Sequence, residues 1–382
     1  MLPTDPPSST PSGADSAHQA DLHSRQAATV MAVSLPADTV LYLLLPIYAA
    51  QFGVTLAQAG MLLAANRLVR IAGYGWVTRF YARRGDRPTC TLAVIFAGLC
   101  ALGNATLSGF WLLLPLRLVW GLCFAALNLA TQSLATAEPA GAARRMGRSR
   151  AIMAMGPMIA LPLGAALAQS ISPRAIFFVL AIVSVLGLLV TRRLPSQPHL
   201  VATRPKRLRL PNSLDVWSFL EGFTLDGLFI IGLSYLGQHL LPGGAVMAAA
   251  LLLALRYAAE IVLSPLGGHM AERFGAVPLL VVLSLMTAAA LVGFGLGWLW
   301  SCATLIVVLR ALQLPLLAPI VAQRTPGPER VQALASRAVW RDIGAGIGPM
   351  AAGLLLPVAA PVWVYGVPAL LLAAAALGCA KK

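Results

Sequence analysis

Residues 28–52 read ATVMAVSLPADTVLYLLLPIYAAQF, and residues 216–240 read VWSFLEGFTLDGLFIIGLSYLGQHL. Each stretch is long enough, at about 1.5 Å per residue, for an α-helix to cross roughly 30 Å of hydrocarbon. Each also carries an aspartate near its middle, Asp38 in the first and Asp226 in the second. A carboxylate at that depth is costly against lipid, so it faces protein, water or an opposite charge. Two such helices, set in corresponding positions of the chain, decide the reading: membrane-spanning helices in a duplicated array.

Working outward, further apolar stretches of spanning length fall at 57–79, 89–108, 111–137, 150–170 and 174–192 after the first helix. A second series follows the second helix at 244–268, 276–297, 299–322, 337–357 and 361–380. Gly, Pro or charge clusters separate them. Over 382 residues the chain is 58% hydrophobic and 11% charged, with a mean hydropathy of +0.79. Such a composition cannot cover a soluble surface. The expected fold is all-α and polytopic, with twelve transmembrane helices in two pseudo-symmetric six-helix bundles. The expected organisation is a disordered tail at 1–27, a first bundle at 28–192, a basic linker at 193–215 and a second bundle at 216–380.

Composition excludes several functions. The five cysteines (Cys90, Cys100, Cys123, Cys302, Cys379) are scattered singly with no CxxC pair, so they read as small hydrophobes. His18, His23, His199, His239 and His269 form no cluster with ligand spacing, and no metal site is expected. There is no GxxxxGK[ST] stretch and no constellation of nucleophile and base, so neither a nucleotide cofactor nor an enzyme is expected. The net charge of +15 does not form one basic face, which argues against nucleic acid.

Topology explains that charge. Arg79, Arg83, Arg84 and Arg87 follow span two, Arg144, Arg145, Arg148 and Arg150 follow span four, and Arg324 and Arg330 follow span ten. The linker adds Arg204, Lys206, Arg207 and Arg209, whereas the alternate loops hold only Arg174. Lysine and arginine near span ends stay on the cytoplasmic side, which puts both termini there, including Lys381 and Lys382. Arginine far outnumbers lysine, a composition expected of a bacterial chain, and a bacterial polytopic helical protein is expected in the inner membrane.

The two series repeat one another. Asp38 matches Asp226, Arg67 matches Arg256, Arg117 matches Arg310, and Gly156-Pro157 matches Gly348-Pro349. Charges at membrane depth are rare, so three matched pairs mark a duplication of the kind on which secondary transporters are built.

At these residues the chain resembles the major facilitator superfamily. Gly268-His-Met-Ala-Glu272-Arg273-Phe-Gly275 after span eight is similar to that family's cytoplasmic loop motif, whose acidic and basic residues latch the inner gate. The first-half copy keeps Arg83 and Gly85 but has Thr78 and Ala82 where the family has Gly and Asp. Arg117-Leu-Val-Trp-Gly121 resembles an element associated with proton coupling. Gly344, Gly346, Gly348, Pro349 and Gly353 resemble the antiporter motif, with a sparser version at Gly156, Pro157 and Gly164. The resemblance implies a monomeric carrier working by alternating access, exporting its substrate against protons. Gating falls on Arg83, Gly85, Gly156, Pro157, Gly268, Glu272, Arg273, Gly348 and Pro349.

The intramembrane charges suggest the cargo. Arg67, Arg117, Arg256 and Arg310, with Arg70, outnumber the partners Asp38, Asp226, Glu221 and Glu260. Guanidinium matches carboxylate or phosphate and does not deprotonate, so the surplus points to a negatively charged substrate. Asn66, Tyr42 and Tyr235 join the arginines as expected substrate contacts, with Gln238 and Trp120 as neutral surface. Asp38, Asp226 and Glu260 are the titratable groups expected to carry protons, although Glu260 stands four residues after Arg256 and neutralises it equally well. The expected function is proton-coupled export of a small carboxylated or zwitterionic metabolite, amino-acid-like or siderophore-like. The alternatives are multidrug efflux of lipophilic cations and a transport-dead sensor with the same fold.

Overall fold

The computed structural model describes residues 13–196, 211–230 and 245–380. Tyr235, Gln238, His199, His239, the linker's Arg204, Lys206, Arg207 and Arg209, and Lys381 and Lys382 lie outside the described residues. In the first half, helices α1 (Gly13–Ser34) and α2 (Pro36–Ile47) form the first path across, followed by α3 (Leu56–Arg84), α4 (Asp86–Thr106), α5 (Phe110–Ala135), α6 (Ala142–Ser170) and α7 (Ala175–Thr191). In the second half, α8 (Ser213–Glu221) runs into a π-helical turn at Gly222–Leu228. Then come α9 (Ala245–Phe274), α10 (Ala276–Gly295), α11 (Leu299–Gln313), α12 (Leu317–Arg324), α13 (Arg330–Leu355) and α14 (Pro361–Ala380).

Local sequence sets the breaks. Pro36 has no N–H to donate to the preceding turn, and α1 gives way to α2 at Leu35. Thr55 caps α3 in a reciprocal pair with Gln58. The joint between α3 and α4 is one residue, Gly85 at φ 80°, and the joint between α9 and α10 is Gly275 at φ 88°. Only glycine takes that conformation without strain, so the same hairpin is built at the same place in each half.

Among the described residues, seven helical stretches are by themselves long and apolar enough to cross a membrane. Two that are not, α3 and α13, carry four of the arginines of the cavity described below: Arg67, Arg70, Arg337 and Arg341. Large apolar side chains such as Leu68, Ile182, Val262, Leu354 and Leu370 are turned outward, as a lipid-facing surface requires. The halves meet where α6 lies along α9 and α3 lies along α13.

One boundary is corrected. The tail expected at 1–27 is helical from Gly13 onward. Its composition is polar, but Ala20, Ser24, Ala27 and Met31 fall on one face and are buried. Ser24 meets Ser149 at 3.1 Å, and Asp21 stands 3.6 Å from Arg145 and 3.4 Å from Arg148, both on α6. Composition misses a helix whose apolar stripe is this narrow.

Candidate functional site

A cavity of about 420 Å³ lies between the halves, lined from both. Its first-half wall is made by α2, α3, α5 and α6, and its second-half wall by α8, the π turn, α9, α11, α12 and α13.

On the first-half side, Asp38 is buried and accepts from Arg117 Nη1 at 2.5 Å and from Asn66 Nδ2 at 3.2 Å. Arg117, 2% exposed, also donates through Nε to the Leu62 carbonyl at 3.2 Å and lies 5.4 Å from the Tyr42 ring centre. Tyr42 lines the cavity and donates its hydroxyl to the Leu63 carbonyl at 3.0 Å. Arg117 thus stands behind Asp38 as its counter-ion and does not line the cavity, contrary to the substrate contact expected of it. Trp120 is buried in the first-half core and is likewise absent from the wall.

On the second-half side, Asp226 takes the equivalent partner, Arg310, and two more: Arg341 at 2.9 Å and Arg256 at 3.9 Å. Arg341 also donates to Glu221 at 2.9 Å, and Arg256 lies 3.6 Å from Glu260 one helical turn on. The π turn that carries Asp226 leaves its backbone wider than an α-turn, an irregularity that tends to accompany functional positions. Behind this group Arg337 bonds Asp215.

Between the halves, Arg70 on α3 pairs with Asp342 on α13 at 2.9 Å, and Arg67 donates to the Ala345 carbonyl. Arg70 also stacks over Phe124 at 4.4 Å. Arg67 and Arg150 line the cavity and, among the described residues, form no ion pair.

Sequence reasoning missed Arg150, Arg337, Arg341 and Asp342. The sequence pattern places Arg150 in the loop after span four, but α6 begins eight residues earlier, at Ala142, and carries it inward. Arg337, Arg341 and Ala345 recur at four-residue spacing inside the expected eleventh span, one helix face of the kind that signals a wall of a wet cavity. Tyr235 lies outside the described residues.

The expected gate residues divide. A Cβ at Gly156 would stand 2.0 Å from the Ala32 carbonyl oxygen, and one at Gly348 would stand 2.4 Å from that of Phe223. Gly156 therefore packs backbone on backbone against α1, and Gly348 against the π turn that follows α8. Pro157 and Pro349 sit inside α6 and α13. At the arginine-rich end, Glu272 accepts the Arg144 backbone N–H at 3.2 Å, and a Cβ at Gly268 would meet the Ala143 carbonyl oxygen at 2.4 Å, so α9 is closed on α6. Arg273 and Arg83 are exposed. Where the first-half motif has Ala82 in place of an acid, the halves are instead joined by Arg330, which donates to the carbonyls of Thr136 and Ala137 at the end of α5.

The family model of the Major Facilitator Superfamily matches residues 27–237. No curated protein matches the chain in sequence. Among solved structures, the human organic anion transporter MFSD10 (TETRAN) superposes with a TM-score of 0.74 at 16% identity, covering 93% of this chain and 99% of that one. The proton:xylose symporter XylE bound to 6-bromo-6-deoxy-D-glucose gives a TM-score of 0.74 at 14% identity, covering 95% of each chain. The chain belongs to the Major Facilitator Superfamily. It is a multi-pass membrane protein with the family's all-helical fold, and its family and structural neighbours are transporters of small molecules rather than enzymes.

Proposed function

We propose that this protein is a proton-coupled secondary transporter that moves a small carboxylated or zwitterionic metabolite, amino-acid-like or siderophore-like, by alternating access. The observation that carries the reading is the surplus of arginine in the cavity. Arg67 and Arg150 face it without an acid, while the other arginines have carboxylates within 4.0 Å. An unpaired guanidinium in a poorly solvated cavity is stabilised by an anionic ligand, and its planar fork suits a carboxylate. A lipophilic cation gains little here, because Asp38 and Asp226 are already held by arginines.

Asp38, Asp226 and Glu260 are the proposed proton carriers, and the Gly-Pro elements at Gly156-Pro157 and Gly348-Pro349 the proposed flexible points of an exporter. With the arginine-rich end cytoplasmic in a bacterial inner membrane, the contacts of Glu272 and Arg330 close the inner side. The protein then works as a monomer, its two bundles rocking about the cavity.

Thermal unfolding of the purified protein against carboxylated metabolites, zwitterionic chelators and lipophilic cations tests this, since binding to the native state raises apparent stability. Carboxylated compounds stabilise the wild type and fail to stabilise Arg67→Ala. Stabilisation by lipophilic cations alone, unaffected by Arg67→Ala, overturns the reading.

A further inference from the structure

The charges of the cavity are divided unequally between the halves. With the buried partners included, the first half contributes Arg67, Arg70, Arg117 and Arg150 against the single carboxylate of Asp38. The second half contributes Arg256, Arg310, Arg337 and Arg341 against five carboxylates, those of Asp215, Glu221, Asp226, Glu260 and Asp342. One wall is therefore cationic and the other slightly anionic.

Among the described residues, every ion pair of the cavity but one lies within one half: Arg117 with Asp38, Arg337 with Asp215, and Arg256, Arg310 and Arg341 with Asp226, Glu221 and Glu260. Such pairs move as units when the bundles rock. Among the described residues, the one ion pair that joins the halves is Arg70 with Asp342, at 2.9 Å and with side chains only 8% and 13% exposed. Asp342 is also the one second-half carboxylate of the cavity whose ion-pair partner comes from the other half. Arg341 beside it is turned to Glu221 and Asp226.

We propose that Asp342 is the carrier's own stand-in for the substrate carboxylate. Resting on the anion-transport reading above, it holds Arg70 across the interface until a substrate carboxylate replaces it there, which frees α3 from α13. Arg67, which reaches the Ala345 carbonyl across the same seam, is the second cation open to the incoming group. Binding and unlocking are then one event, because the charge that locks the halves and the charge that is carried compete for the same guanidinium. A carrier built this way does not rock freely with neither cargo nor a proton in the cavity, since separating the buried charged pair strands two charges.

The test compares binding of acetate, succinate and alanine to wild type, Asp342→Asn and Asp342→Asn/Arg70→Gln by thermal shift and equilibrium dialysis. Removing the internal competitor tightens succinate binding by about tenfold in Asp342→Asn, and the gain disappears in the double variant. If the wild type binds a carboxylate and Asp342→Asn binds it no better, this inference falls while the transport reading stands. If neither protein binds any of the three, both fall. A second measurement leaves the pair intact. Nitroxide labels on Trp76→Cys and Met350→Cys, exposed positions of α3 and α13, report the separation of the two helices, and the five native cysteines are all buried. Saturating succinate broadens or lengthens that distance distribution; a distribution unchanged at saturation overturns the proposal.

Discussion

The two halves solve the same problem with different numbers of charges. In the first, Asp38 has one arginine, Arg117, and an amide from Asn66. In the second, Asp226 has three arginines, because Arg256 and Arg341 converge on it beside Arg310. The shared pair is a relic of duplication. The added charges are what differ, and they turn the second half into a self-balanced cluster and leave the first with arginines to spare. Asymmetry grown on a symmetric frame is how a two-fold scaffold comes to hold a ligand that is not two-fold.

The comparison can be broken most directly at the aspartates. Asp226→Asn removes the counter-ion that three arginines share and costs about 3–5 kcal/mol of stability. Asp38→Asn strands one arginine that keeps the Leu62 carbonyl, and costs about 2 kcal/mol. Thermal unfolding in detergent gives the order; equal losses would show that the halves are electrostatically equivalent after all.

Smaller and symmetric losses follow at the helix crossings. Gly156→Ala and Gly348→Ala each force a methyl onto a backbone carbonyl and cost about 1–3 kcal/mol, alike in the two halves. Gly346→Ala and Gly353→Ala, where a Cβ would meet nothing within 4 Å, serve as controls. Their change stays within about 0.5 kcal/mol by the same measurement.

Apart from those controls, the smallest effect is expected at the arginine-rich end. Arg330→Gln loses a cation at the carbonyl end of α5, and Glu272→Gln loses an anion at the N-terminus of α6. Each is worth about 0.3–1 kcal/mol and is screened by salt. Unfolding at low and high ionic strength separates them from the buried pairs, whose cost does not fade with salt.

Much of this was legible before any coordinates. Asp38 with Asp226 and Arg117 with Arg310 match by spacing alone, because a charge at membrane depth is rare enough to stand out and a duplication places it twice. Arg150 and the Arg337–Asp342 face were not. Arg150 ends a run, Arg144, Arg145, Arg148 and Arg150, that lies wholly within α6, and a count per loop does not say where a helix begins. Asp342 became significant only when its partner proved to be Arg70, 272 positions earlier in the chain.

The sequence by itself determined the class of fold, the number of paths across the membrane and the repeat, because hydrophobic length and charge rarity are properties of local composition. Tertiary structure alone decided which arginine answers which acid. An ion pair is set by a few ångströms between helices, and spacing along one chain does not encode the distance to another. It also decided that Arg117 stands behind Asp38 instead of lining the cavity, and that a single buried ion pair, Arg70 with Asp342, ties one half to the other among the described residues.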